Sequence, residues 1–183
     1  MVNAELTPLS SPEFESGPPG IQSIELARVI DRAIRESKFI DSEKLCIEEG
    51  EKVWSVMVDI SPVNDAGNLF DAGALGAIAA LKSARFPGYD GERVDYKKHT
   101  DKKLPLRKTP ISVTVHKIGD KLIVDPISDE EKSSDARLTV VHREDGKMCA
   151  LQKGGTMPLS SDDIAKMIDL GIEKGKELAK ALE

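Results

Sequence analysis

Between residues 111 and 152 four short runs rich in β-branched residues follow one another. Gly119-Asp120 separates the runs at 111–118 and 121–126, and Asp145-Gly146 separates those at 136–143 and 147–152. Strands joined by so few residues must pair antiparallel, because parallel neighbours need a crossover of about a dozen residues or more. Helical patterns precede and follow this block. Together these features define an α+β fold, with a mixed sheet and helices packed on it, rather than a doubly wound parallel sheet.

The rest of the chain fits around that block. "VNAELTPL" reads as a strand that begins at residue 2, and "SSPEFESGPPG", with three prolines and two glycines, reads as a loop. "SIELARVIDRAIRESK" (23–38) is helical, since Leu26, Val29, Ile30 and Ala33 fall on one side at 100° per residue. "KLCIEEGEKVWSVMVDI" reads as a hairpin turning at Gly50, its second strand running through Trp54, Val56 and Val58. "LFDAGALGAIAALKSAR" (69–85) is a helix of small residues, suited to close packing. Residues 86–109 read as a long connection with seven Lys or Arg and four acids. The last helix starts at Ser160 or Ser161, either of which can cap it, and Ile164, Ile168 and Ile172 form its expected buried stripe.

With 183 residues, the chain can form one domain with a sizeable core or two small ones. Aromatic residues are 4%, so the core must be built from Val, Ile, Leu and Ala. A formal charge of −6 argues against a wholly basic nucleic-acid binder and leaves room for a local basic stripe. Cys46 and Cys149 lie in apolar, strand-like runs and are expected to be buried free thiols of a reducing compartment. No apolar run approaches the ~20 residues that span a bilayer, and no signal peptide is visible, so the expected location is the cytoplasm.

Four features are candidates for chemistry. "VDPISDEEKSSDARLTV" (124–140) gathers Asp125, Asp129, Glu130, Glu131 and Asp135, which could hold Mg²⁺ or form a solvated turn between strands. His99, His116 and His142 form no close pair with one another or with a cysteine, which argues against zinc. "KGGT" before the last helix could offer N–H groups to an anion, but Asp162 and Asp163 would repel it, so a helix-positioning turn is the better reading. In the first helix Arg28, Arg32 and Arg35 fall within roughly a 60° arc opposite the apolar face. Guanidinium forks in line suit successive phosphates. The same spacing also fits a solvated face balanced by Glu25, Asp31 and Glu36.

"VNAELTPLSSPEFESGPP", "IELARVIDRAIRESK", "KLCIEEGEKVW", "GNLFDAGALGAIAAL", "VDPISDEEKSSDARLTV" and "LQKGGT" occur in the order of the RNase PH-like family. The set most resembles that family's non-catalytic ring subunits of archaeal RNA exosomes. The resemblance implies halves of the ribosomal S5 domain 2-like kind, with residues 1–40 as a remnant of the first half and 41–183 as the second. It implies further strands and a helix ahead of the opening segment, so the first strand is expected to expose an unpaired edge. It also implies a six-membered ring shared with a catalytic RNase PH-like subunit, S1- and KH-containing cap proteins on one face, and single-stranded RNA shortened from its 3′ end by phosphate attack.

Residue by residue, the resemblance implies an inactive member. Where catalytic members place an arginine pair before the first helix, this chain has Ile21 and Gln22. Where they follow Asp-Ala-Gly with Thr-Arg, Asp65-Ala66-Gly67 is followed by Asn68-Leu69. Their two working aspartates fall at Glu131 and Arg137. An arginine can neither act as a general acid at neutral pH nor bind a cation. No catalytic residue, metal or cofactor is therefore expected. The resemblance assigns Arg28 and Arg32 to the RNA backbone near a neighbour's active site, and Arg35 joins them on helical geometry. Two other readings remain open here: an acid- and metal-dependent enzyme using Asp125, Asp129 and Asp135, and a structural fragment without RNA contact.

Overall fold

A computed structural model describes residues 1–182, the side chain of His99 excepted. The four-stranded sheet forms where turn signals and β-branched runs predict it. Its strands are β7 (Pro110–Ile118), β8 (Lys121–Val124), β9 (Ala136–Arg143) and β10 (Met148–Gly155), in the order β10-β9-β7-β8. All its pairings are antiparallel. Ile111, Val113 and Val115 of β7 join Leu138 and Val140 of β9 on one face, around the fully buried Met167.

That face is covered by α4 (Ser161–Leu178). Ser160 caps it by accepting the Asp163 N–H at 3.1 Å, while the Asp163 carboxylate returns to the Ser160 N–H. The buried line of α4 is Met167, Gly171 and Gly175, and Ile164, Ile168 and Ile172 flank it half-buried. The expected isoleucine stripe is thus displaced from the centre. Two glycines hold the positions of closest approach, since a Cβ at Gly171 would lie 3.0 Å from Val140 and one at Gly175 would run into His142.

The opposite face of the sheet receives α1 (Ile21–Glu36) and α2 (Leu69–Ser83). These two helices and the short parallel pair β1 (Val2–Ala4) and β4 (Val58–Ile60) enclose a second core of Leu26, Ile30, Ile34, Phe39, Ala74 and Ile78. The small residues of α2 permit that packing: a Cβ at Gly73 would stand 2.9 Å from Ile30 Cδ1. The first strand is shorter than its apolar run suggested. The expected long second strand of the hairpin is broken into β3 (Lys52–Val53), which pairs with β2 (Cys46–Glu48), and β4, which pairs with β1.

The connection expected over 86–109 is itself structured. It contains an antiparallel hairpin of β5 (Arg85–Tyr89) and β6 (Val94–Lys103). Trp54 packs on Phe86 and Tyr89 of β5, with ring centroids 5.2 and 5.7 Å apart. The cysteines also differ from expectation: Cys46 is exposed, Cys149 is half-buried, and both are free. Each lies in a strand with one open side. No described helix is long and apolar enough to cross a membrane.

Candidate nucleic-acid interface

The acidic stretch folds into a tight, internally bonded turn that contains α3 (Ser128–Lys132). Asp125, at φ 54°, accepts the Asn68 amide at 3.1 Å. Glu130 accepts the Ile127 N–H at 3.0 Å, and Asp135 accepts the Gly119 N–H at 2.7 Å. These acids are spent on separate backbone and amide donors. Among the described residues no three His, Cys, Asp or Glu side chains converge closely enough for a metal ion. The metal-dependent reading of Asp125, Asp129 and Asp135 therefore has no geometric support.

Glu131 and Arg137, which the resemblance sets against the working aspartates of catalytic members, meet in a cleft of about 370 Å³. Gln22, Asp65 and Leu69 line it too, so every position singled out for loss of chemistry except Ile21 and Asn68 faces one cavity. Burial raises the Glu131 carboxyl above its usual range, and the Asp65 charge adds to this. The Asn68 N–H, 3.3 Å away, and the charge of Arg137 oppose it. Arg137 crosses the cleft to Glu25 of α1 at 2.6 Å, and its guanidinium lies 4.7 Å from the centre of the Phe70 ring. A phosphate entering here would meet Glu13, Glu25, Asp65 and Glu131, while both cationic side chains of the lining, Arg137 and Lys132, are already paired with Glu25 and Glu13.

The expected arginine stripe does not lie wholly on the outer side of α1: Arg28 and Arg35 are exposed, while Arg32 sits at the edge that meets β10. Arg28 is exposed and makes no ion pair among the described residues. Arg32 is half-buried and donates from Nη1 to Gln152 Oε1 of β10 at 2.6 Å. Arg35 is exposed and pairs with Asp31 at 3.2 Å and Glu36 at 3.6 Å, two of the three acids that the solvated-face reading had named. Glu25 is directed instead to Arg137. The helix begins two residues before its apolar periodicity places it, so Ile21 and Ile24, 86% and 58% exposed, extend the outer face toward its start. An exposed isoleucine at the first helical position gives no apolar-periodic signal. "KGGT" forms the end of β10 and the turn into α4: Gly155 has φ 80°, and the Met157 N–H donates to the Asp135 carbonyl at 3.1 Å.

The layered fold and the cleft between α1, α3 and β9 define the class. Residues 1–87 match domain 1 of the 3′ exoribonuclease family and residues 108–174 match its domain 2. The chain belongs to this RNase PH-fold family. Within it, the chain is 43% identical to the exosome complex component Rrp42 of Methanothermobacter thermautotrophicus, over 100% of this chain and 68% of that protein. It is 48% identical to the same component of Archaeoglobus fulgidus, over 97% and 67%. It thus spans about two thirds of the length of these relatives. Among solved structures, a chain of the "archaeoglobus fulgidus exosome with RNA bound to the active site" superposes with TM-score 0.89 and 45% identity, over 100% of this chain and 71% of that one. Rice Rrp46, 16% identical with TM-score 0.66, shares the fold.

Proposed function

We propose that this chain is a non-catalytic, RNA-contacting ring subunit of an archaeal exosome, working in the cytoplasm beside a catalytic RNase PH-like subunit. The observation that carries the reading is the Arg137–Glu25 pair, which, with Lys132 held by Glu13, leaves the cleft lined by carboxylates and without an unpaired cation among its described residues, where phosphorolysis would need free phosphate-binding cations. Similarity to exosome components and to an exosome that holds RNA supports the assembly and the substrate. Single-stranded RNA is held by its backbone through Arg28 and Arg32, with Arg35 at the margin because its charge is already balanced. S1- and KH-containing cap proteins complete the assembly.

Incubation with poly(A), inorganic phosphate and Mg²⁺ tests the claim. The chain alone should release no nucleoside diphosphate, and the chain assembled with a catalytic RNase PH-like subunit should release it. Release by the purified chain alone would overturn the reading.

A further inference from the structure

We infer that Arg137 is a positioning residue that holds α1, and with it the arginine stripe, against the sheet for RNA binding. The inference rests on the proposed RNA contact of α1 and deepens it. Arg137 leaves β9 opposite Gly154 of β10. Its guanidinium passes close over that glycine, where a Cβ would come 2.5 Å from Arg137 Cζ. From there it reaches Glu25 of α1 at 2.6 Å and stacks beside Phe70 of α2 at 4.7 Å. One side chain therefore ties together two strands and two helices. It is mostly enclosed, with 20% of the side chain exposed, so the ion pair is less screened than a surface pair.

A second bridge lies one heptad further along the same helix. Glu25 and Arg32 are seven residues apart and share a face of α1. Arg32 reaches Gln152, which is two residues before Gly154 on β10. The two bridges fix both the rotation of α1 and its height above the sheet. Rotation matters because Arg28 lies between them in sequence and, among the described residues, has no side-chain partner to orient it. A side chain that stands where the family's chemistry was expected thus serves recognition instead. Preorganisation of this kind raises affinity by reducing what must be ordered on binding.

The test uses the chain assembled with a catalytic RNase PH-like subunit and a fluorescent oligo(A) of roughly 20 nucleotides, long enough to span several phosphate contacts. Arg137→Gln should weaken RNA binding about three- to tenfold at moderate salt, and the slope of affinity against salt should remain that of the parent. Hydrogen exchange of the α1 amides should accelerate. Glu25→Gln should reproduce both effects and serves if Arg137→Gln does not fold. The exchange Glu25→Arg with Arg137→Glu should recover much of the affinity. A lowered melting temperature with unchanged RNA affinity would reduce Arg137 to a fold-stabilising role and overturn the inference. A salt slope flattened by about 0.7, without rescue by the exchange, would make it a phosphate ligand and also overturn it. If Arg28→Glu with Arg32→Glu leaves RNA binding intact, the RNA reading of α1 itself fails. Hydrogen exchange then still reports whether Arg137 anchors the helix.

Discussion

Asp71 takes the place of a missing strand beside Thr114. β8 ends its pairing at Val115, and from there the open edge of β7 is met by the first turn of α2. Asp71 Oδ2 accepts the Thr114 N–H at 2.8 Å and Oδ1 accepts its hydroxyl at 2.8 Å. The Thr114 hydroxyl in turn lies 2.9 Å from that of Thr139 on β9. A buried N–H on an open sheet edge must find an acceptor, and here one carboxylate serves both the edge and the attachment of α2.

This burial has a pH signature. It raises the Asp71 carboxyl from 3.8 to about 6, against the opposing hydrogen bonds of Thr114 and Asn68. Between those values the folded chain keeps a proton that the unfolded chain has released. This group's contribution to stability therefore falls as pH rises through the window and is level above it. The drop is on the order of 3 kcal/mol at most. Asp71→Asn removes the titration and loses one acceptor, at about 1–3 kcal/mol. Its cost relative to the parent should be larger at about pH 4.5 than at about pH 7, as read by urea unfolding. An equal cost at both would place the titration elsewhere.

Gly175 should resist replacement even by the best helix former. In an open helix, alanine gains about 1 kcal/mol over glycine. At Gly175 the added Cβ would meet the buried His142 imidazole, whose Nδ1 is tied to the Arg143 carbonyl at 3.1 Å. We expect Gly175→Ala to destabilise by about 1–3 kcal/mol through overpacking. Gly76→Ala, which meets nothing within 4 Å, should stabilise the chain. Thermal melts of the two variants should shift in opposite directions, and a common shift would reject the argument.

Ser160 offers a smaller and cleaner effect. Its side chain satisfies the Asp163 N–H, and Asp163 reaches Lys117 of β7 at 2.6 Å, joining the helix start to the sheet. The Lys117 ammonium and Ser160 hold the Asp163 carboxyl down to about 2. That contribution is present above the ordinary carboxylate value and is lost as pH falls through the folded one. Ser160→Ala should cost about 1 kcal/mol near neutral pH and Ser160→Asn much less. Equal losses for the two would mean that the cap is unimportant.

The antiparallel sheet and the start of α4 were legible because each rests on local chemistry: alternation, short glycine-containing turns and a capping serine. The β5–β6 hairpin was hidden because most of β6 is exposed, so no alternation of polar and apolar residues marks it. It is held by aromatic packing on Trp54 and by the Thr100 hydroxyl on the Phe86 carbonyl at 2.6 Å, neither of which has a periodic signature. The buried line of α4 was misplaced for a related reason. Apolar periodicity counts isoleucines and overlooks glycine, although closest approach selects glycine at 171 and 175. At the cleft, the resemblance located Glu131 and Arg137. That Arg137 is bound to Glu25, over a glycine made necessary by its own guanidinium, is a three-dimensional fact with no sequence period.

The arginine stripe gives the most direct test of the RNA contact. Arg28 projects from the exposed side of α1 and Arg32 from its edge beside β10, and neither belongs to the core of Leu26, Val29 and Ile30, all of them at most 4% exposed. Changing both to Glu should leave the core intact, at the expense of the Arg32–Gln152 hydrogen bond. Each phosphate of single-stranded RNA that the protein no longer neutralises reduces the salt slope by about 0.7, so the pair should flatten it by about 1.4. The weakening should be similar for all RNA sequences, because the sugar-phosphate backbone carries no base information. Arg35→Glu should change the slope far less, since Asp31 and Glu36 already balance that charge. Glu130→Gln with Glu131→Gln is the control outside the stripe and should leave binding nearly unchanged. An unaltered slope in the double arginine variant would return the stripe to a solvated helix face.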